Sequence, residues 1–226
     1  MNNMKAVRST IFGSDLVGAF ATATDRYVFV GYGISKNKKE LISSVLNVEY
    51  IELSVDNSNL VGIFMRGNSK GLLVSNLMSK YEVSVLKEKT GMEVSQIESP
   101  LNTIGNNIIA NDKIAVVNPD YDKKSIDFIR DALDVEVVSM SIGGFKTVGA
   151  NNILTNKGFA INNHCTDNQK EILDKLANFD SIRTTANTGA LGIGISTISN
   201  SHGCVVGNGS TGFEFVRILE ALNIEG

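Results

Sequence analysis

The chain has 226 residues, of which 42% are hydrophobic and 20% charged, and its formal net charge is −3. A chain of this length can bury a sizeable core. Its net negative charge argues against binding nucleic acid mainly by neutralising phosphates. No apolar run approaches the roughly eighteen residues of a membrane span, and the N-terminus reaches Arg8 without the apolar stretch of a secretory signal, which predicts a cytoplasmic protein. The two cysteines, Cys165 and Cys204, lack CxxC or zinc spacing, so we expect free thiols, no metal and no other cofactor.

A pair formed by an aliphatic residue and a glycine recurs five times, at steps of 43 or 44 residues. The pairs are Val17-Gly18, Val61-Gly62, Ile104-Gly105, Val148-Gly149 and Leu191-Gly192. Recurrence at a fixed period indicates a repeat architecture. We therefore expect a single domain of five units, at about residues 17–60, 61–103, 104–147, 148–190 and 191–226.

Each unit shows the same succession of elements. An apolar tetrad begins ten residues after the aliphatic residue of each pair, as at Tyr27. In the fifth unit the tetrad begins at Gly203, which is two residues later and predicts a longer turn. Turns rich in Asn and Gly, such as residues 68–71, precede the tetrads and predict hairpins. An amphipathic helix and a third strand follow, so the unit is strand, strand, helix, strand.

Three of the helix starts carry a capping-box pattern, in which a Ser or Thr is followed three residues later by Glu or Gln. The pairs are Ser79 with Glu82, Thr166 with Gln169, and Thr211 with Glu214. The third strands are predicted near residues 50–55, 92–97, 135–140 and 181–186.

The fifth unit ends just after its helix and has no third strand of its own. Residues 5–16 lead into Val17-Gly18 where a third strand stands in every other unit, so we expect them to complete the fifth unit. This predicts a closed, pseudo-symmetric five-unit α/β propeller, whereas an open solenoid would show polar capping repeats. First strands that converge on an axis leave no space for a side chain. The expected axis glycines are Gly18, Gly62, Gly105, Gly149 and Gly192.

Several short strings occur in a characteristic order along nearly the whole chain. They are Lys5-Ala-Val-Arg8, Leu101-Asn-Thr-Ile-Gly-Asn106, Asn118-Pro119-Asp120, Thr155-Asn-Lys-Gly158 and Ser210-Thr-Gly212. In order and spacing they resemble the archaeal and eukaryotic translation initiation factor 6 family, in particular its archaeal type. A Pro before several helices is common in that family, whereas here only Pro119 stands at such a position.

The resemblance implies a pentein-like propeller that is not an enzyme. It implies a translation factor that binds the intersubunit face of the large ribosomal subunit, through a ribosomal protein with ribosomal RNA nearby, and prevents premature joining of the small subunit. Eukaryotic members also act in large-subunit maturation. No membrane and no small-molecule substrate are implied, and a ring that satisfies its own strand edges predicts a monomer.

The propeller has two ends, and either of them is a candidate for docking. The loops from each third strand to the next glycine are polar, small and poor in charge, which is typical of a protein-docking surface, and we predict this end as the site. The predicted residues are Asn106, Ile63, Ala150, Ile193, Asn102 and Asn59. The opposite end carries the hairpin turns, whose Asn68, Asn111 and Asn156 are already explained by turn chemistry.

Two other classes of function stay open. Amidine-processing enzymes such as arginine deiminases share the five-unit architecture and use a Cys nucleophile with a His, for which His202 and Cys204 are the better pair here and His164 and Cys165 the weaker. Cys204, however, stands where other units have buried strand residues, which favours a structural role. A scaffold with some other partner is the third class.

Overall fold

The structure, a computed structural model, describes residues 4–225 and contains five separate three-stranded sheets. The strands in this part of the chain are β1 (Ala6–Ser9), β2 (Ala21–Ala23), β3 (Tyr27–Gly31), β4 (Glu49–Leu53), β5 (Met65–Gly67), β6 (Gly71–Ser75), β7 (Glu93–Ile97), β8 (Ile108–Ala110), β9 (Ile114–Val117), β10 (Glu136–Ser139), β11 (Ile153–Leu154), β12 (Phe159–Asn162), β13 (Ile182–Thr184), β14 (Thr197–Ser199) and β15 (Cys204–Gly207).

Nine helices connect these strands within residues 4–225, and they fall into a long and a short class. They are α1 (Val17–Phe20), α2 (Lys36–Leu46), α3 (Val61–Phe64), α4 (Lys80–Thr90), α5 (Ile104–Asn107), α6 (Lys123–Leu133), α7 (Val148–Asn151), α8 (Asp167–Ala177) and α9 (Gly212–Leu222). The long helices have eleven residues each, and no helix in the described part of the chain is long and apolar enough to cross a bilayer.

Every sheet has the same topology. The middle strand pairs antiparallel with its hairpin partner and parallel with the strand that follows the long helix, as β3 does with β2 and β4. A parallel neighbour requires a crossover, and the long helix supplies it. The unit therefore matches the predicted order of hairpin, helix and third strand, and the α/β class is confirmed.

The fifth sheet takes its third strand from the N-terminus. β1 pairs parallel with β15, with Ala6 opposite Cys204 and Ser9 opposite Gly207. Two flanking hydrogen bonds extend this pairing, from Cys204 N to Lys5 O at 2.9 Å and from Asn208 N to Ser9 O at 2.9 Å. The prediction that the N-terminal segment supplies the third strand of the last unit is confirmed.

The long helices begin and end as their sequences indicate. All three predicted capping boxes are present, so the Ser or Thr side chain accepts from the N3 amide while the N3 side chain accepts from the N-cap amide. At the other end each long helix stops at a residue in the left-handed conformation, and glycine occupies this C-cap only once. The C-caps are Asn47, Gly91, Asp134, Asn178 and Asn223.

The prediction that the first strand of each unit begins at the aliphatic-glycine pair is wrong in all five units, since even in the fifth β14 starts only at Thr197. The other four units share a different start. There the pair begins a one-turn helix, α1, α3, α5 or α7, and the first strand starts only after it. Sequence periodicity could not distinguish the two, because one helical turn is too short to establish a period of 3.6 residues.

The hydrophobic core is divided among the units. Each of five clusters of buried side chains combines residues of two neighbouring sheets and the helix between them. In one of them Val28 of β3 and Ile42 of α2 pack with Ile198 of β14 and Val205 of β15, so the first unit packs directly on the fifth. No unit buries its apolar faces alone, which is the usual condition of repeat proteins.

Candidate docking surface

The segments between each third strand and the next first strand form one end of the repeat. We call this end the connection face; it comprises residues 11–20, 55–64, 98–107, 142–151 and 186–196. In the first of these segments Ile11 N donates to Ser14 O at 3.0 Å and Ser14 N to Ile11 O at 2.9 Å. The central residues Phe12 and Gly13 have φ of 51° and 77°, the geometry of a tight turn with two left-handed residues.

The same kind of bridge closes three further connections, between Val55 and Ser58, Ile142 and Phe145, and Ala186 and Ala190. The third connection contains Pro100, whose ring fixes φ at a negative value and so excludes a left-handed turn there. Four of the five loops of the connection face are therefore closed by their own backbone hydrogen bonds.

Side chains at the third position of the long helices hold these loops from behind. Gln169 of α8 accepts from Gly143 N at 3.1 Å and donates to Ser141 O at 2.9 Å. Lys38 of α2 donates to Ser9 Oγ at 3.1 Å and to Thr10 O. Gln169 is also the N3 residue of the α8 capping box, whereas Lys38 caps no helix and holds the residues just before the first loop. Both contacts organise this backbone before any partner binds.

Glu214 of α9 makes the most extensive of these attachments. Its carboxylate accepts from Thr185 Oγ1 at 2.7 Å, from Gly189 N at 2.8 Å and from Thr211 N at 2.7 Å, and the residue is 5% exposed. Burial by itself raises the pKa of Glu214, but the hydrogen bonds from Thr211, Gly189 and Thr185 outweigh burial and lower the pKa to about 2. The ionised carboxylate therefore stabilises the fifth loop of the connection face.

Three of the predicted docking residues occupy equivalent places on this face. Ile63, Asn106 and Ala150 are the third residues of α3, α5 and α7, and all three are half-buried. Successive short helices contact one another, so these residues lie on adjoining elements. Asn59 and Asn102 are also half-buried, in the connections that lead into α3 and α5.

The fifth unit follows a different register from the predicted one. A β-carbon added at Gly192 would meet only Ile195 Cγ2 at 3.1 Å and Ala150 O at 3.7 Å, whereas one added at Gly194 would lie 2.1 Å from Gly149 O. A β-carbon added at each of the other four glycines would likewise lie too close to the carbonyl oxygen of a neighbouring glycine. The distances from the added β-carbon to the carbonyl oxygen are 2.4 Å for Gly18 and Gly194, 1.9 Å for Gly62 and Gly18, 1.8 Å for Gly105 and Gly62, and 2.1 Å for Gly149 and Gly105.

Gly194, and not Gly192, is therefore the fifth member of the glycine set. Ile193 is fully buried in the core of the fifth unit, so it is not a docking residue. The residue equivalent to Asn106 and Ala150 is Ile195, which is half-buried. Its backbone N–H donates to Ala150 O at 3.0 Å. The two additional residues of the fifth unit therefore lie before Gly194, and the hairpin turn after it has the ordinary length. The predicted longer hairpin turn is wrong.

An exposed aromatic residue on the connection face escaped the sequence analysis. Phe12 is 53% exposed although it has the left-handed backbone conformation, which a bulky residue rarely adopts. Its ring packs edge-on against Phe20 at 5.3 Å between centroids. The repeat alignment carried a signal, because Asp56-Asn57 and Gly143-Gly144 fill the same turn in other units and Phe12 is the bulky exception. Strain retained at an exposed aromatic residue points to a binding role.

The opposite end, which we call the turn face, comprises the hairpin turns at residues 24–27, 68–71, 111–114, 155–158 and 200–203. Its buried asparagines link neighbouring units as well as closing their own turns. Asn68 Nδ2 donates to Asn111 O at 3.0 Å and to Leu133 O at 2.9 Å, while Asn68 Oδ1 accepts from Gly71 N at 3.0 Å. Asn111 and Asn200 make corresponding bonds to the next unit. Turn chemistry alone is therefore an incomplete account of these residues.

The third position of every hairpin turn carries an exposed basic or imidazole side chain. These residues are Arg26, Lys70, Lys113, Lys157 and His202. The turn face thus presents cations around a hydrogen-bonded centre, where Asn156 Nδ2 donates to both Asp25 and Asp112 at 2.9 and 2.8 Å. The two ends of the molecule differ in charge as well as in architecture.

The two His-Cys neighbourhoods do not have the chemistry of a nucleophilic site. Cys204 is fully buried in β15, where burial raises the pKa of its thiol to about 12, while His202 is exposed in the turn. A thiol with that pKa stays protonated at neutral pH. Cys165 is also buried, and burial raises its pKa as well. Both cysteines are free thiols, and residues 4–225 contain no group of three or more side chains arranged to hold a metal ion.

Comparison with known proteins gives one consistent result. The sequence pattern of the eIF-6 family matches residues 6–221. Translation initiation factor 6 of Thermococcus onnurineus is 35% identical over 214 residues, covering 92% of this chain and 94% of that protein. The same factor of Thermoplasma acidophilum is 33% identical over 216 residues, covering 96% and 99%. The chain belongs to the eIF-6 family.

Membership of the eIF-6 family makes the chain a translation factor, and this family is not a family of enzymes. Among solved structures, a dimethylarginine dimethylaminohydrolase adduct aligns with a TM-score of 0.46 and 14% identity, covering 75% of this chain and 69% of that one. A similarity at this level does not decide between an enzyme and a binding protein.

Proposed function

We propose that this eIF-6 family member binds the intersubunit face of the large ribosomal subunit and so prevents premature association of the small subunit. The observation that carries the proposal is the match to translation initiation factor 6 along almost the whole chain. Such a factor works in the cytoplasm, uses no cofactor and acts by steric exclusion. The buried, protonated thiol of Cys204 argues against the amidine-hydrolase alternative.

The connection face is the docking surface in this proposal, with a ribosomal protein as the main contact and ribosomal RNA nearby. Four of its five loops are closed by their own hydrogen bonds, so binding loses little conformational entropy. Asn106, Ile63, Ala150 and the corrected equivalent Ile195 lie on adjoining short elements, and Phe12 is an exposed aromatic anchor on the same face. Aromatic anchors surrounded by neutral polar groups are typical of protein interfaces.

We infer further that the five sheets close into a monomeric propeller of five units. The glycine contacts support this, because each glycine touches the next and Gly18 touches Gly194. The pairing of β1 with β15 and the packing of Ile198 against the first unit support it as well. In a closed ring every sheet has neighbours on both sides, so the molecule needs no second copy to cover its strand edges.

Sedimentation with separated ribosomal subunits of Thermococcus onnurineus tests the function and the face together. The wild-type protein is expected to co-migrate with the large subunit alone and to reduce subunit joining. Asn106→Arg places a large charged side chain in the interface, and Phe12→Asn removes an aromatic anchor. Each should weaken binding by about tenfold or more, which corresponds to about 1.4 kcal/mol. Asn suits the left-handed backbone of residue 12, so folding should be preserved.

Lys113→Glu on the turn face is the matched control and should bind like the wild type. If Lys113→Glu weakens binding while Asn106→Arg does not, the function stands and the docking surface moves to the turn face. If the wild-type protein binds neither subunit, the proposed function is wrong.

A further inference from the structure

A small cavity lies at the centre of the molecule, where the first strands of all five sheets meet. Its volume is about 30 Å³. The residues four positions after each of the five close-contact glycines all line it. They are Thr22, Arg66, Ile109, Ile153 and Ile198. Four of these are small or apolar, and Arg66 is the exception that a repeat alignment could have revealed.

The guanidinium of Arg66 has an incomplete set of partners. Its Nη2 donates to Gly105 O at 2.7 Å and its Nη1 lies 3.4 Å from Thr22 Oγ1. Its Nε is buried and has no hydrogen-bond partner among residues 4–225. No carboxylate in this part of the chain lies within ion-pair distance of Arg66. Arg66 is half-buried as a residue while its Nε is fully buried, and a charge in this position with no counter-charge beside it favours a bound anion.

A second polar group in the same cavity is also unsatisfied. Thr197 lines the cavity from β14, is 6% exposed, and its Oγ1 has no partner among the described residues. Buried polar groups in native proteins nearly always have a partner, so two such groups in one cavity point to an occupant. Both Arg66 Nε and Thr197 Oγ1 can donate a hydrogen bond, so the occupant is expected to be a hydrogen-bond acceptor.

The protonation state of Arg66 favours an anion over a water molecule. Burial lowers the pKa of Arg66 to about 10, so the side chain still carries its charge at neutral pH. A water molecule would satisfy the two donors but would leave this charge uncompensated. The cavity of about 30 Å³ has room for a small inorganic ion.

We propose that the central cavity binds one chloride-sized inorganic anion, held by Arg66 Nε and Thr197 Oγ1. Arg66 of β5 also reaches Thr22 in the first unit and Gly105 of α5 in the third, and Thr197 belongs to the fifth. The anion therefore joins four units at the centre of the fold and stabilises the folded state. This role is independent of ribosome binding.

Thermal unfolding at constant ionic strength tests the site, with sodium chloride or bromide compared against sodium gluconate, whose anion is too large for the cavity. The wild-type melting temperature should be about 2–4 °C higher in either halide. The difference should vanish in Arg66→Met and shrink in Thr197→Val. Arg26→Met, which removes an exposed arginine, should keep it.

Crystals grown in bromide supply a measurement that does not depend on how Arg66→Met folds. Anomalous scattering should place bromide within hydrogen-bonding distance of Arg66 Nε. Equal melting temperatures in halide and gluconate, a halide effect that survives in Arg66→Met, or an anomalous map without a peak in the cavity would each overturn the proposal.

Discussion

The turn face and the connection face are made by the same repeat, yet their loops are fixed in different ways. At the turn face, side chains such as Asn68 reach across to the backbone of the next unit, so the loops hold one another. At the connection face, four of the five loops are closed by their own backbone, and helix residues such as Glu214 support the loops from behind. The side-chain bonds of the turn face join neighbouring units, while at the connection face the units meet through the short helices and their glycines.

The difference in charge follows the same division. The turn face carries a basic or imidazole side chain on every turn, as at Lys113 and Lys157, whereas the connection face presents mainly uncharged side chains and the exposed Phe12. Exposed charges lie on the connection face at Asp56, Glu98 and Lys146. A surface that must dock on protein favours the second composition, because charged side chains at an interface centre lose their hydration.

Both faces depend on β1, so its removal should have the largest effect. Deleting Met1 to Ser14 removes the strand paired with β15 and the buried Ile11 of the first core. We expect complete loss of the cooperative thermal transition and of native circular dichroism. A truncated protein that melts like the full chain would refute the closure of the ring.

The corrected register of the fifth unit makes the next prediction, at the base of the connection face. Gly194→Ala should destabilise the protein by about 4 kcal/mol, because the new β-carbon would clash with Gly149 O in rigid backbone. Gly192→Ala, two residues away, should cost less than about 1 kcal/mol, since only the flexible Ile195 side chain is close. Urea unfolding of both variants distinguishes the registers, and equal losses would restore Gly192 to the set.

The links between units at the turn face can be removed without destroying a turn. Asn68→Thr should destabilise by about 2–3 kcal/mol, since threonine closes the equivalent turn at Thr155 but does not supply the two bonds to the next unit. Ser69→Ala on the same turn should change stability by less than about 0.5 kcal/mol. If the two variants unfold at the same urea concentration, these bonds do not hold the units together.

The support behind the connection face should show itself as a dependence on pH. The pKa of Glu214 is about 2 in the folded protein against an ordinary value of 4.5, so its stabilising effect is present above about pH 4.5 and is lost as the pH falls through about 2. Glu214→Gln should lose about 2 kcal/mol at neutral pH, and the difference should shrink as the pH falls below about 4.5. A difference that stays constant between neutral and low pH would exclude the ionised carboxylate as its cause.

The repeat made much of the fold predictable, because each unit reported the same elements independently. The capping boxes at Ser79, Thr166 and Thr211 and the strand supplied by the N-terminus were read correctly from short-range patterns. The register of the fifth unit was not, since Leu191-Gly192 imitates the repeated pair while the close backbone contact falls on Gly194. Only the approach of another chain segment distinguishes these two glycines.

The sequence by itself determined the family, the five units, the long helices and the α/β class, because hydrophobic period and capping chemistry act over a few residues. Tertiary structure alone decided which glycine makes the fifth contact, that Ile193 is buried while Ile195 is not, and that Arg66 lies in a central cavity without a counter-charge. Each of these depends on contacts between residues of different units. Such contacts leave no local pattern, so they are settled only when the units pack together.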